Sequence, residues 1–276
     1  MQKNIVMKIH IPSPGFGTFK IPDDGTAEAS VREALKLGYR HVDTAAVYAN
    51  EAGVGRALAE WPREEVFLTS KLWNTDRGYD SALRAFDKSL SLLCTDYLDL
   101  YLIHWPANRK QFADKADEIN AESWRALERL YKDGRVKAIG LSNFEEHHIR
   151  ALDWTAEVAP MVDQVELHPG FPREELRSFC ESRDIVVEAW SPLRRGSALT
   201  DPAIAEMAAR YGKTPAQLII RWCMEIGTVP LVKSTHPERI RENFDVFDFE
   251  LSDQDRAVMD AFEGGRLYTD PDEAEF

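Results

Sequence analysis

The sequence predicts an α/β chain folded as one closed (β/α)8 TIM barrel, and three observations carry that prediction. Short β-rich runs alternate with helical patterns about eight times along the 276 residues, roughly 30 residues per unit, which is the rhythm of parallel βαβ architecture. The runs are almost continuously apolar, as strands buried on both faces must be. No Gly-x-Gly-x-x-Gly turn follows the first strand, where an open doubly wound sheet would usually bind a nucleotide. The nearest match, Gly53-Val54-Gly55-Arg56, lacks the third glycine and lies inside a helical pattern, so it reads as helix packing.

The units follow in order. A first strand within 14–20 (GFGTFK) leads to a helix over 26–37, and YRHVD (39–43) leads to 51–60. VFLTSKL (66–72) precedes 78–93, and YLDLYLIH (97–104) precedes 121–133. VKAIGLSN (136–143) precedes 145–154, and MVDQVEL (161–167) precedes 173–183. IVVEAWS (185–191) is followed by two helical patterns, 201–211 and 215–226. TVPLVKS (228–234) precedes 237–243. The stretch 106–120 reads as the longest irregular loop, placed to overhang a site.

Composition narrows the function classes. Apolar residues at 44% and charged residues at 29% are those of a soluble globular protein. The formal charge of −13 argues against a nucleic-acid partner, whose phosphates require Lys and Arg. Most of that charge sits at 245–276, which holds eleven acids and two bases and reads as a solvated acidic tail. No apolar run is long enough for a membrane span, and the N-terminus lacks the apolar core of a signal peptide. Cys94, Cys180 and Cys223 form no close pair and no metal-ligand spacing. They read as reduced, buried thiols of a cytoplasmic protein without a metal.

In a barrel, function sits at the carboxyl ends of the strands. There the second strand ends in Asp43, with Tyr48 in the loop beyond, the third carries Lys71 and the fourth ends in His104. Next come Ser142-Asn143, Gln164, Trp190-Ser191 and Lys233-Ser234. Each alone has a structural explanation: Asp43 as a turn or cap, Tyr48 as a half-buried aromatic, Lys71 as half of an ion pair, His104 as a satisfied core histidine. Together they make a proton-donor set. A buried Lys or His costs several kcal/mol (about 2–7) unless paired. A lysine beside a phenol stabilises the phenolate and lowers its pKa.

HVDTAAVYANEAGVGRAL, VFLTSKLWN, DYLDLYLIHWP, GLSNF, QVELHP and VFDFEL resemble the aldo-keto reductase superfamily, in order, along essentially the whole chain. GYRHVDTAAVYANE, EAWSPL and KTPAQLIIRW are most similar to the bacterial branch containing 2,5-diketo-D-gluconate reductases. The resemblance implies NADPH-dependent reduction of small aldehydes, dicarbonyls or keto-sugars by hydride transfer. It implies a tetrad of Asp43, Tyr48, Lys71 and His104, with Tyr48 as general acid.

By the same resemblance Ser142, Asn143 and Gln164 hold the carboxamide, and Trp190 stacks on the nicotinamide. Ser191 and Leu193 touch the pyrophosphate, where Arg194-Arg195 replace a glycine-rich continuation. Lys233, Ser234, Thr235 and Arg239 take the 2′-phosphate near a helix N-terminus. Glu242 and Asn243 take the adenine. Val232 stands where many relatives have proline. Phe19, Val47, Trp73, His104 and Trp105 are expected to wall the substrate pocket, with the C-terminal segment, about 264–276, near its mouth. The family is often monomeric. A low-turnover NADPH-binding sensor is the alternative. A hydrolase or isomerase built on Asp43, or on Glu166 with His168, is a third reading.

Overall fold

The computed structural model describes residues 9–276. Eight parallel strands close into a barrel in sequence order. They are β1 (Gly15–Gly17), β2 (His41–Asp43), β3 (Phe67–Leu72), β4 (Leu98–Ile103), β5 (Val136–Ser142), β6 (Val162–Glu166), β7 (Val186–Trp190) and β8 (Val229–Val232). Closure is made by β1 against β8, with Phe16 opposite Val232. The α-helices are α1 (Thr26–Leu37), α2 (Glu51–Leu58), α3 (Tyr79–Leu93), α4 (Arg109–Phe112), α5 (Ala116–Lys132) and α6 (Glu146–Leu152). They continue with α7 (Glu174–Glu181), α8 (Pro202–Arg210), α9 (Pro215–Glu225), α10 (Pro237–Phe244) and α11 (Asp253–Asp260). Among the described residues no helix is long and apolar enough to cross a membrane.

The period-2 alternation of strands sorts side chains into two cores. One packs Ile11, Leu100, Leu102, Ala138, Val162 and Val229 into a small cluster. The other is far larger and includes Val42, Leu68, Tyr101, Ile103, Val165 and Val187 together with apolar faces of the helices. The inner parity of the same strands carries His41, Asp43, Lys71, Gln164 and Glu188, all buried. The polar set therefore shares the barrel's interior with its apolar filling.

The strand–helix units stand where the sequence places them, with shorter ends. β1 covers three residues and β2 begins at His41. Three expectations are corrected, and one helix is added. The 106–120 stretch is not a loop: Asn108 caps α4 by accepting from the Gln111 amide, and α5 begins at Ala116. A further helix, α11, follows Ser252, whose hydroxyl accepts from the Asp255 amide. Cys94 is exposed, because it ends α3 in a left-handed conformation that turns it away from the core. Cys180 and Cys223 are buried as expected. The acidic tail is exposed but not merely solvated, since several of its carboxylates are paired, as described below.

Gly53 and Gly55 lie inside α2, as the helix-packing reading requires. A Cβ on Gly55 would stand 2.6 Å from the Leu92 carbonyl oxygen and 2.8 Å from that of Leu93. Backbone cannot swing aside as a side chain can. Gly55→Ala gains about 1 kcal/mol of helix propensity and loses about 1–3 kcal/mol or more to overpacking. A net destabilisation is expected in a urea titration, and a stability equal to or above wild type would refute the close α2–α3 contact.

Candidate active site

The site begins with a buried charge. Lys71 Nζ lies 2.7 Å from both carboxylate oxygens of Asp43 and donates to the Thr44 carbonyl at 2.9 Å. Lys71 is fully buried. Burial works against its ammonium, but Asp43, with Tyr48 and Glu188 behind it, outweighs burial and raises the Lys71 pKa. The Gln164 amide nitrogen, from the far side of the barrel, donates to Asp43 Oδ2 at 2.9 Å and to Glu188 Oε2 at 2.8 Å. Below lies His41, whose Nε2 is 3.1 Å from Thr69 Oγ1 and 3.7 Å from Glu188 Oε1. Burial lowers His41 to about 4 and raises Glu188 to about 8. Sequence reading missed Glu188 and His41, because each sits singly in a strand-like run and only closure brings them to Gln164.

Tyr48 is half-buried on a short 3-10 turn after β2, with Lys71 Nζ 5.1 Å from its ring centre. Burial raises the phenol above its ordinary range, Lys71 pulls it back and Asp43 opposes that pull. The net direction is upward, contrary to the expected lowering. Tyr48 thus stands protonated at neutral pH, the state a general acid needs. Asn50, also missed, fixes this loop. Its amide donates to the carbonyls of Thr18 and Ile21, each at 2.9 Å, and its oxygen accepts from Thr44 Oγ1 at 2.9 Å. His104 packs edge-on to Tyr48, ring centres 5.7 Å apart, and to Trp73 at 5.1 Å. Burial, helped by the Lys71 charge, lowers His104 well below its usual pKa and keeps it neutral. Its Nδ1 is buried without a partner.

The residues expected at the carboxamide converge beside this cluster. Asn143, in a left-handed conformation at the end of β5, donates to the His104 carbonyl at 2.8 Å. Its oxygen accepts from Trp190 Nε1 at 2.9 Å. Ser142 Oγ donates to the Gln164 carbonyl at 2.8 Å. Trp190 is half-buried. Further along, Lys233, Thr235 and Arg239 are exposed around the N-terminus of α10, whose cap residue His236 provides no side-chain cap. Cations and uncapped N–H groups there suit a phosphate. Ser234 and Asn243 are buried, and Glu242 Oε1 accepts from Thr214 Oγ1 at 2.7 Å. The donor set fits an extended phosphorylated dinucleotide, with an aromatic face at one end and cations at the other.

Phe19 borders Tyr48 and Trp73 borders His104, with Val47 next to Tyr48 and Trp105 next to His104 in the chain. Phe19 lies 5.1 Å from the Tyr48 ring, and both Phe19 and Val47 are exposed. The C-terminal segment completes the wall. Phe276 stacks on Trp73, centres 6.0 Å apart and planes 5° from parallel, and meets Trp105 edge-on at 5.0 Å. Tyr268 packs against Trp190 at 4.8 Å and its hydroxyl bonds Ser191 Oγ at 2.7 Å and Arg195 Nε at 2.6 Å. Leu193 packs against the outer core. Tyr268 and Phe276 were not singled out in the sequence, since nothing local distinguishes them in an acidic tail.

The tail is tied at several points. Asn108 donates to the carbonyls of Pro271 and Ala274, each at 2.8 Å. Arg266 pairs with Glu145, and Lys110 with Glu273 and Glu275. The Leu267 amide donates to Glu166 Oε1 at 2.7 Å, the oxygen that also faces His168 Nε2 at 3.0 Å. Glu166 therefore anchors the tail and holds His168, which sets both in a structural contact in place of their reading as an acid–base pair. His147 and His148 both approach Asp272 Oδ1. These three could group around a metal. However, His148 Nδ1 accepts from the Glu145 amide, which places the ring proton on Nε2, the nitrogen a metal would need.

A closed parallel barrel with a lysine–carboxylate pair beneath a protonated tyrosine and a neutral histidine defines an oxidoreductase of the carbonyl-reducing type. The chain belongs to the Aldo/keto reductase family, whose model matches residues 15–263. It is 47% identical over 271 residues to the glyoxal reductase of Bacillus subtilis (strain 168), covering 97% of this chain and 95% of that protein. It is 44% identical over 270 residues to the 9,11-endoperoxide prostaglandin H2 reductase of Trypanosoma cruzi (strain CL Brener), covering 96% and 92%. A crystal structure of a Gox0644 mutant in complex with NADPH superposes with a TM-score of 0.90 at 43% identity, covering both chains fully.

Lys71→Met leaves the Asp43 carboxylate buried without its cation. A loss of about 3–5 kcal/mol is expected in chemical denaturation. Adding Asp43→Asn should recover part of it, since the pair is then removed together. A single-variant loss below about 1 kcal/mol would be the value of an exposed pair and would contradict the burial.

Proposed function

We propose that this chain reduces small aldehydes, dicarbonyls and keto-sugars to alcohols, with NADPH as its reductant. The observation that carries the reading is the buried Lys71–Asp43 pair beside a protonated Tyr48 at the barrel mouth. NADPH supplies a hydride from its nicotinamide when bound. Tyr48 donates the proton that the developing alkoxide requires. Lys71 stabilises the phenolate left behind, so the proton moves without a new uncompensated charge. His104, neutral, offers a hydrogen bond to the carbonyl oxygen without competing as an acid. Trp190 supplies the stacking face, and Ser142, Asn143 and Gln164 supply polar groups for the carboxamide. Lys233, Ser234, Thr235 and Arg239 supply the phosphate contacts, Ser191 and Leu193 lie along the pyrophosphate path, and Glu242 and Asn243 lie by the adenine. Phe19, Val47, Trp73, Trp105 and Phe276 make an aromatic slot suited to compact carbonyl compounds.

Tyr48→Phe should lower kcat by about 10²–10⁴-fold for glyoxal and methylglyoxal while leaving NADPH affinity within about twofold. Turnover near wild type in that variant would remove Tyr48 from the acid role. If the wild-type protein binds NADPH tightly and turns over neither these dicarbonyls nor 2,5-diketogluconate, it is a sensor and not a reductase. Arg239→Ala should raise KM for NADPH by roughly tenfold and leave KM for NADH nearly unchanged, a difference worth about 1.4 kcal/mol. Equal changes for both cofactors would refute the 2′-phosphate contact.

A further inference from the structure

We propose that Glu188 is a positioning residue of this site: it fixes the Gln164 amide with its nitrogen turned into the barrel, leaving the Gln164 carbonyl oxygen to accept from the cofactor's carboxamide. This rests on the reading of Gln164 as a carboxamide residue given above. The two ends of a glutamine amide are nearly the same size and differ only in hydrogen bonding. Gln164 is buried, and both of its N–H groups are taken, one by Asp43 Oδ2 at 2.9 Å and one by Glu188 Oε2 at 2.8 Å. Its Oε1 accepts from no group among the described residues. Turning the amide over would set that oxygen against the Asp43 carboxylate, which Lys71 already holds, and would exchange the nitrogen's bond to Glu188 Oε2 for one that needs the Glu188 proton.

Asp43 alone holds the amide weakly, because its carboxylate is shared with Lys71. Glu188 supplies the second point that defines the plane. It is fully buried, and its Oε1 makes no hydrogen bond, with His41 Nε2 3.7 Å away. The groups facing it are His41 and Asp43 from β2, Lys71 from β3 and Gln164 from β6, while Val229 lies level with it on β8. A buried carboxyl with one oxygen unsatisfied adds nothing to stability that a leucine would not add more cheaply. Its retained contact is the one to Gln164.

The experiment compares NADP⁺ with its 3-acetylpyridine analogue, which keeps the carbonyl but lacks the amide N–H₂ that Gln164 Oε1 would accept from. Dissociation constants are measured by calorimetry on wild type, Glu188→Leu, Glu188→Met and Glu188→Gln. Wild type should prefer NADP⁺. Glu188→Leu and Glu188→Met should weaken NADP⁺ by roughly tenfold and leave the analogue within about twofold, with melting temperatures no lower than wild type. Glu188→Gln, which keeps an acceptor oxygen, should restore most of the preference. Equal weakening of both ligands in the apolar variants, or no weakening of either, overturns the role of Glu188. Should Glu188→Leu fail to fold, the Glu188→Met and Glu188→Gln pair decides by the same ratio. If wild type itself shows no preference, the carboxamide reading of Gln164 fails first, and a normal Tyr48→Phe result would show that the reductase reading survives it.

Discussion

The ion pair between Lys71 and Asp43 is the interaction on which the rest of the site depends. Both side chains lie inside the barrel, Lys71 at 0% exposure and Asp43 at 3%. Such a pair is tolerable only with good geometry and with its remaining hydrogen bonds satisfied. The fold provides both. Adjacent strands β2 and β3 set the two groups 2.7 Å apart, the Thr44 carbonyl takes another lysine proton, and Gln164 reaches Asp43 from β6 across the interior. That last contact exists only because the sheet is closed. An open sheet with the same strands would leave β2 and β6 far apart and the carboxylate half-satisfied.

The protonation states follow from a contest between burial and charge. Burial holds Tyr48 and Glu188 towards their neutral forms and keeps His41 and His104 uncharged. Lys71, with Asp43 beside it, has its charged form favoured over burial. The site thus presents one fixed positive charge next to one available proton. That combination favours a step in which negative charge appears on a substrate oxygen and is quenched at once.

Much of this was legible in the sequence. The β-rich runs and their spacing located all eight strands, because apolar continuity is a local property that burial on both faces imposes. Asp43, Lys71 and His104 were legible as polar residues at the ends of apolar runs. Tyr48 was legible only in their company. What escaped depends on contacts between distant segments. Glu188 reads as an ordinary strand residue until closure sets it against Gln164. Asn50 looks like a helix cap, yet its side chain ties the loops after β1 and β2 together. The direction of the Tyr48 shift escaped too, since proximity to lysine is readable from motif order but the depth of burial is not.

The C-terminal tail shows how composition can mislead about placement. Its acids at 270–275 read as a solvated run, yet Asp270 faces Arg266, Asp272 faces His147 and His148, and Glu273 and Glu275 face Lys110. Exposed pairs of this kind contribute about 0–1 kcal/mol each and are screened by salt. They set the path of the tail more than they hold it down. Its firmer holds are the two Asn108 bonds, the Glu166 bond to the Leu267 amide, and the aromatic contacts of Tyr268 and Phe276. None of these belongs to the barrel ladder. The strand pairing and the Lys71–Asp43 pair are built without any of them. Lys71 and Asp43 stand on barrel strands, Tyr48 on the short turn after β2 and Phe276 on the tail, so the candidate site joins all three kinds of element.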